Sequence, residues 1–223
     1  MRNNIWYYIS VSFVFQYLLC GILLIYFYYT RSPRKELYNE FKVIKPFVWL
    51  MFIGELYEVI FSVILFVKTA YWTTLYSLLE FLAFNYMFYK LLKKHKTLYN
   101  TFNIVFLTFY ITSLFFWNID NHNIVEGYYG AIETVFIIIW AILWFKDLFK
   151  KDEVVSLWRM PAFYYVLGTV IYLCGGVIPV LFTGHLFKAT GLWTKYWLVF
   201  LILGTFMRIM MIIGLLKATV KKP

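Results

Sequence analysis

Seven apolar runs, each close to the length of a hydrocarbon core, follow one another along this chain with only short polar links between them. They lie at about 5–29, 46–67, 71–92, 98–118, 124–146, 160–183 and 192–216, and a helix needs ~20 mostly apolar residues to cross a bilayer. In hydrocarbon, backbone polar groups must be satisfied within the segment itself, so runs of this length predict helices. The expected fold class is therefore an all-α membrane protein. Residues 1–223 form a single domain, a bundle of seven transmembrane helices.

Composition agrees with that reading. Hydrophobic residues make up 63% of the chain and charged residues 14%, whereas a soluble domain carries about 25% charged residues to hydrate its surface. The 24 Phe, 20 Tyr and 9 Trp are more apolar area than one soluble core of this size can enclose. A formal charge of +10 would point to nucleic acid if the basic residues shared one soluble face. They fall between the apolar runs instead, so no nucleic-acid partner is expected and topology explains the charge.

The links set the direction. Arg31, Arg34, Lys35, Lys42, Lys45, Lys90, Lys93, Lys94, Lys96, Lys146, Lys150, Lys151, Arg159, Lys217, Lys221 and Lys222 fall on one side, and only Arg2, Lys68, Lys188 and Lys195 on the other. The side rich in Lys and Arg is cytoplasmic. That places the N-terminus outside and the C-terminus inside, in a bacterial inner membrane, and an even number of spans would break the alternation. The first run, Ile5 to Tyr29, is longer than the apolar part of a signal peptide and reads as a retained span. Cys20 and Cys174 lie within apolar runs at different depths and read as packing residues. No link is long enough for a separate domain, so signalling would need a membrane-protein partner or a second copy.

Charges inside spans mark the candidate site, because an ionisable group there is costly and usually faces protein or water. Span two carries Glu55 and Glu58, span three Glu80, span five Glu133 and span seven Arg208. A rise of ~1.5 Å per residue puts Glu58, Glu80 and Glu133 roughly 14 Å below the outer boundary. Tyr76 and Tyr129 each stand four residues before an acid, on the same helix face. This Tyr-x-x-x-Glu match between spans three and five also suggests a parallel repeat, a duplication of a kind found in transporters. Three acids at one depth need a cation, a basic ligand or protons. Glu55 and Arg208 are close in depth and read as an ion pair. The structural alternative is that the acids hydrogen-bond across helices and hold the bundle together.

Span six contains Gly175-Gly176-Val-Ile-Pro179. Pro179 cannot donate to the carbonyl of Gly175, so the three residues are either a hinge or a site of close helix packing. His95, His122 and His185 lie in loops or at span ends without partners at metal-ligand spacing, so no metal site and no cofactor is expected. No nucleophile motif or phosphate loop occurs, and the chain leans away from being an enzyme.

The run ending Phe88-Tyr-Lys-Leu-Leu-Lys-Lys94 around the central Glu80, and the Arg159-Met-Pro-Ala-Phe-Tyr-Tyr165 opening of span six, resemble a group of small uncharacterised bacterial seven-transmembrane proteins. These are similar in layout to bacterial seven-span sensory modules. The resemblance covers spans three to six. It implies an integral membrane protein and transfers no activity and no site residues. The expected function is a sensory or ligand-binding module with Glu58, Glu80, Glu133, Tyr76 and Tyr129 around a small ligand or cation. A cation or proton transporter, or an accessory subunit of a larger membrane complex, are the alternatives.

Overall fold

The computed structural model describes residues 2–31, 38–67, 70–118, 122–150, 156–181 and 192–218, and their side chains except at 2–10, 13, 31, 38–41, 62–63, 122–123, 178–181 and 192–197. Basic residues of the links at 32–37, 151–155, 182–191 and 219–223 lie outside that set, as do Lys68 and the side chain of Pro179. Seven α-helices account for most of it: α1 Arg2–Arg31, α2 Tyr38–Tyr57, α3 Ala70–Leu92, α4 Lys96–Leu114, α5 His122–Phe149, α6 Pro161–Leu181 and α7 Leu192–Lys217. No strand occurs among the described residues. Each apolar run of the sequence overlaps one of these helices, the second and fourth extending past the ends of α2 and α4.

Local sequence explains the breaks. α2 runs on as a π-helical segment, Glu58–Ile64, and the Leu65 amide at its end donates five residues back to the Ile60 carbonyl at 3.0 Å. α3 stops where Lys93 turns left-handed at φ 57°, with its amide donating to the Tyr89 carbonyl at 2.9 Å. That is a C-terminal cap made without glycine. Ahead of α6, Met160 is extended, the conformation that the following Pro161 imposes on it. Pro161 then opens the helix at a position whose amide would have no helical partner.

α1 packs on α2 and α7, α2 on α3, α3 on α5, α5 on α6, and α6 on α7. Six helices thus close a ring in the order α1, α2, α3, α5, α6, α7. α4 touches both α3 and α5 while those two also touch each other, so it sits outside the ring, over their seam. It is held there by rings four residues apart on one face. Phe106 stacks on Phe81 at 3.8 Å and Phe102 stacks on Phe136 at 4.2 Å. Small residues bring α6 and α7 close: a Cβ at Gly168, Gly175 or Gly176 would lie 2.8–2.9 Å from Met210, Leu203 or Phe200.

Large apolar side chains lie on the outside as well as in the core, and a few charges are enclosed. Phe15, Leu19, Ile22 and Leu23 of α1, Val135 and Ile142 of α5, and Ile202 and Ile209 of α7 face outward, while Glu55, Glu80, Glu133 and Arg208 are buried. Among the described residues, one stretch, Leu198–Lys217, is long and apolar enough to cross a membrane, with a mean hydropathy of 2.4. Only 39% of its most apolar window is buried, so it is not an enclosed core helix. Val14–Thr30 and Pro161–Val177 are apolar but shorter.

Candidate functional site

Each helix of the ring supplies a polar side chain, from its middle third except on α2, where it stands near the C-terminal end: Tyr17 of α1, Glu55 of α2, Glu80 of α3, Glu133 of α5, Tyr172 of α6 and Arg208 of α7. They are linked electrostatically. At one side of this cluster Arg208, 1% exposed, forms an ion pair with Glu55, 4% exposed, through Nη2. Its Nε–H donates to the same Oε1 at 2.5 Å. The guanidinium carbon also lies over the Tyr17 ring, 3.2 Å from its centroid, a placement that the negative face of the ring favours.

Two glycines make room for this arrangement. A Cβ at Gly21 would run into Glu55 Oε2, and one at Gly204 would run into the Tyr17 hydroxyl. A third, Gly54 of α2, admits Tyr76, whose Cε2 would be 2.6 Å from a Cβ there.

On the other side, Glu80 and Glu133 are 8% and 2% exposed and are near enough to repel one another when charged. The Tyr172 hydroxyl hydrogen-bonds to the Glu80 carboxyl. Glu80 Oε1, Glu133 Oε1, Glu55 Oε2, Arg208 Nη1 and Thr169 Oγ1 are all buried without a hydrogen-bond partner among the described residues. Buried polar atoms are nearly always paired, so such a concentration of orphans calls for an explanation. Two adjacent carboxyls with open oxygens can take up a cation, a positively charged group of a ligand, or protons.

The sequence-predicted residues divide. Glu80, Glu133 and Tyr76 join the Glu55–Arg208 pair in one cluster, because Tyr76 is a direct electrostatic neighbour of Glu80, Tyr17, Arg208 and Glu55. The two depths that the sequence suggests are thus joined. Glu58 is half-buried at the start of the π-helical segment and has interactions of its own. Tyr129 turns to α4: it hydrogen-bonds to Ser113 and packs against Phe109 and Tyr110. Four-residue spacing defines a stripe on a helix, and here α4 covers the flank of the stripe that Tyr129 occupies. Gly175 and Gly176 pack on α7, and α6 continues through Pro179 to Leu181. Tyr17, Tyr172 and Thr169 were not singled out by sequence, since among 20 tyrosines one that faces an acid carries no distinguishing mark.

A second polar group lies between α3, α4 and α5. Asn85, 0% exposed, donates to Asn103 Oδ1 at 2.7 Å and to the Tyr99 carbonyl at 3.3 Å, and accepts from Trp140 Nε1 at 2.6 Å. Near the N-terminal ends of α3 and α5, Thr73 donates to Glu126 at 2.7 Å and Trp117 Nε1 donates to Thr74 at 2.9 Å. Among the described residues no group of three His, Cys, Asp or Glu is placed to hold a metal ion. No family model, curated protein or solved structure matches the chain.

Proposed function

We propose that this chain is a seven-span inner-membrane protein, N-terminus outside and C-terminus cytoplasmic, that binds a small cationic ligand between Glu80 and Glu133 as a sensory or ligand-binding module. The observation that carries this reading is the pair of neighbouring buried carboxyls, each with an oxygen that no group among the described residues satisfies. Among the described residues the guanidinium of the cluster, Arg208, is paired with Glu55. The outward-facing apolar side chains on α1, α5 and α7 support the bilayer setting, since intramembrane acids that face inward are commonly functional.

The test is ligand-induced stabilisation. The protein in lipid nanodiscs is heated with a panel of inorganic cations and small organic amines at constant ionic strength. At least one should raise the unfolding temperature, and the Glu80→Gln, Glu133→Gln double variant should stay folded and lose the response. A folded wild-type protein that responds to nothing in the panel defeats the reading. A double variant that fails to fold makes the acids structural.

Transport of the same cation is a second reading, favoured by the position of the cluster midway along the helices, where transporters place their sites. Flux into liposomes that depends on Glu80 would separate it from sensing.

A further inference from the structure

We propose that the Glu80–Glu133 site is a cation–proton exchanger, in which a small hard cation of the Na+ type enters as a proton leaves. This rests on the binding reading above and specifies its ligand and linkage.

The charges around the pair lead to it. From the ring, Tyr17, Glu55, Tyr76, Tyr172 and Arg208 face the two acids. α4 spends its polar side chains elsewhere, Asn103 on Asn85 and Ser113 on Tyr129. Among the described residues of the cluster, three carboxyls therefore meet one guanidinium. With all of them ionised the residual formal charge is −2, enclosed in an apolar bundle. An interior of that kind neutralises surplus charge by protonation or by binding a cation. Nε and Nη2 of Arg208 converge on one oxygen of Glu55, Tyr17 covers the guanidinium face, and Nη1 makes no hydrogen bond to Glu80 or Glu133 among the described residues. In the absence of a bound cation the acids carry protons.

The oxygens on offer define the class of cation. Glu80 Oε1 and Glu133 Oε1 are open, and a third oxygen comes from an independent element. Thr169 Oγ1 is wholly buried and unpartnered, three residues before Tyr172 and so on the same face of α6. Carboxylate and hydroxyl oxygens suit hard cations rather than soft ones. The set falls short of the 6–8 oxygens that Ca2+ takes, and loss of one proton from the pair leaves a single negative charge, which a monovalent ion balances. In the exchange step the O–H bond of one carboxyl breaks, its electron pair stays on oxygen, the proton passes to solvent and Na+ takes its place. No electron transfer occurs.

Isothermal titration of the full chain in nanodiscs with NaCl, against choline chloride at equal ionic strength, tests this. In two buffers of different ionisation enthalpy, the heats should differ by the equivalent of about one proton released per Na+ bound. Na+ affinity should fall about tenfold per pH unit lowered through the titration range. Glu133→Gln should weaken Na+ at least tenfold. Thr169→Ala should weaken it while the proton count stays the same, which keeps the idea testable if the Gln variant misfolds. Equal heats in both buffers with pH-independent affinity overturn the exchange and leave cation binding standing. Failure of Na+, Li+ and K+ to bind, while an organic amine stabilises the protein, overturns the exchange alone. Failure of the whole panel overturns both.

Discussion

Glu80 and Asn85 stand five residues apart on α3, both buried, in surroundings of opposite kind. Every polar atom of the Asn85 amide is engaged, by Asn103, Tyr99 and Trp140. Glu80 receives Tyr172 but keeps Oε1 open, with a second acid as its neighbour. Five residues at ~100° each turn the side chain by roughly 140° around the helix. One residue thus faces α4 outside the ring, and the other faces the interior. A saturated polar group inside an apolar bundle joins helices and has no capacity left over. An unsaturated pair of like groups does have capacity, and a stability measurement can tell the two apart.

The largest effect is expected where a charge would be stranded. Arg208→Met leaves Glu55 buried without a partner and should cost about 3–5 kcal/mol. The Glu55→Leu, Arg208→Met double variant should recover most of that in reversible unfolding from mixed micelles. If the double variant is as unstable as the single one, the pair is more than a structural tie.

Next come the sockets. Gly204→Ala drives a methyl into the Tyr17 hydroxyl and Gly21→Ala one into Glu55, and each should cost about 1–3 kcal/mol by overpacking. Asn85→Ala should then cost about 1–3 kcal/mol, because Trp140 Nε1–H and Asn103 both lose their partner. Tyr172→Phe removes one hydrogen bond from Glu80 and should cost about 0.6 kcal/mol, as polar contacts between membrane helices commonly do.

Smallest of all should be Glu133→Gln, a nearly isosteric change that should cost less than the Tyr172 variant, since Glu133 Oε1 has no bond to lose among the described residues. A Glu133 variant that costs more than the Asn85 variant would erase the distinction between the two regions. In that case both acids serve to hold the helices together.

The candidate site was legible in part. Glu55, Glu80, Glu133 and Arg208 stand out because a charge in an apolar run is costly enough to be rare. Their approximate depth follows from counting residues. Tyr129 and Tyr76 looked equivalent in the sequence, each four residues ahead of an acid, but only Tyr76 sits with the buried charges. Local spacing reports a helix face and is silent about which helix covers it. Tyr172 and Thr169 gave no signal, as a hydroxyl in an aromatic-rich span has little in its own sequence to mark it.

By itself the sequence determined the seven helical segments, because an apolar run with polar flanks has one economical backbone solution. It also determined which residues would be expensive to bury. Tertiary structure decided how the expense is met. The ring order α1, α2, α3, α5, α6, α7, with α4 expelled to the α3–α5 seam, depends on contacts between residues far apart in the chain: aromatic stacking on α4, glycine contacts along α6 and α7. Those contacts join Glu55 to Arg208, set Glu80 beside Glu133 and give Asn85 its three partners. Helical periodicity fixes the direction of a side chain on its own helix. Only packing fixes what it meets.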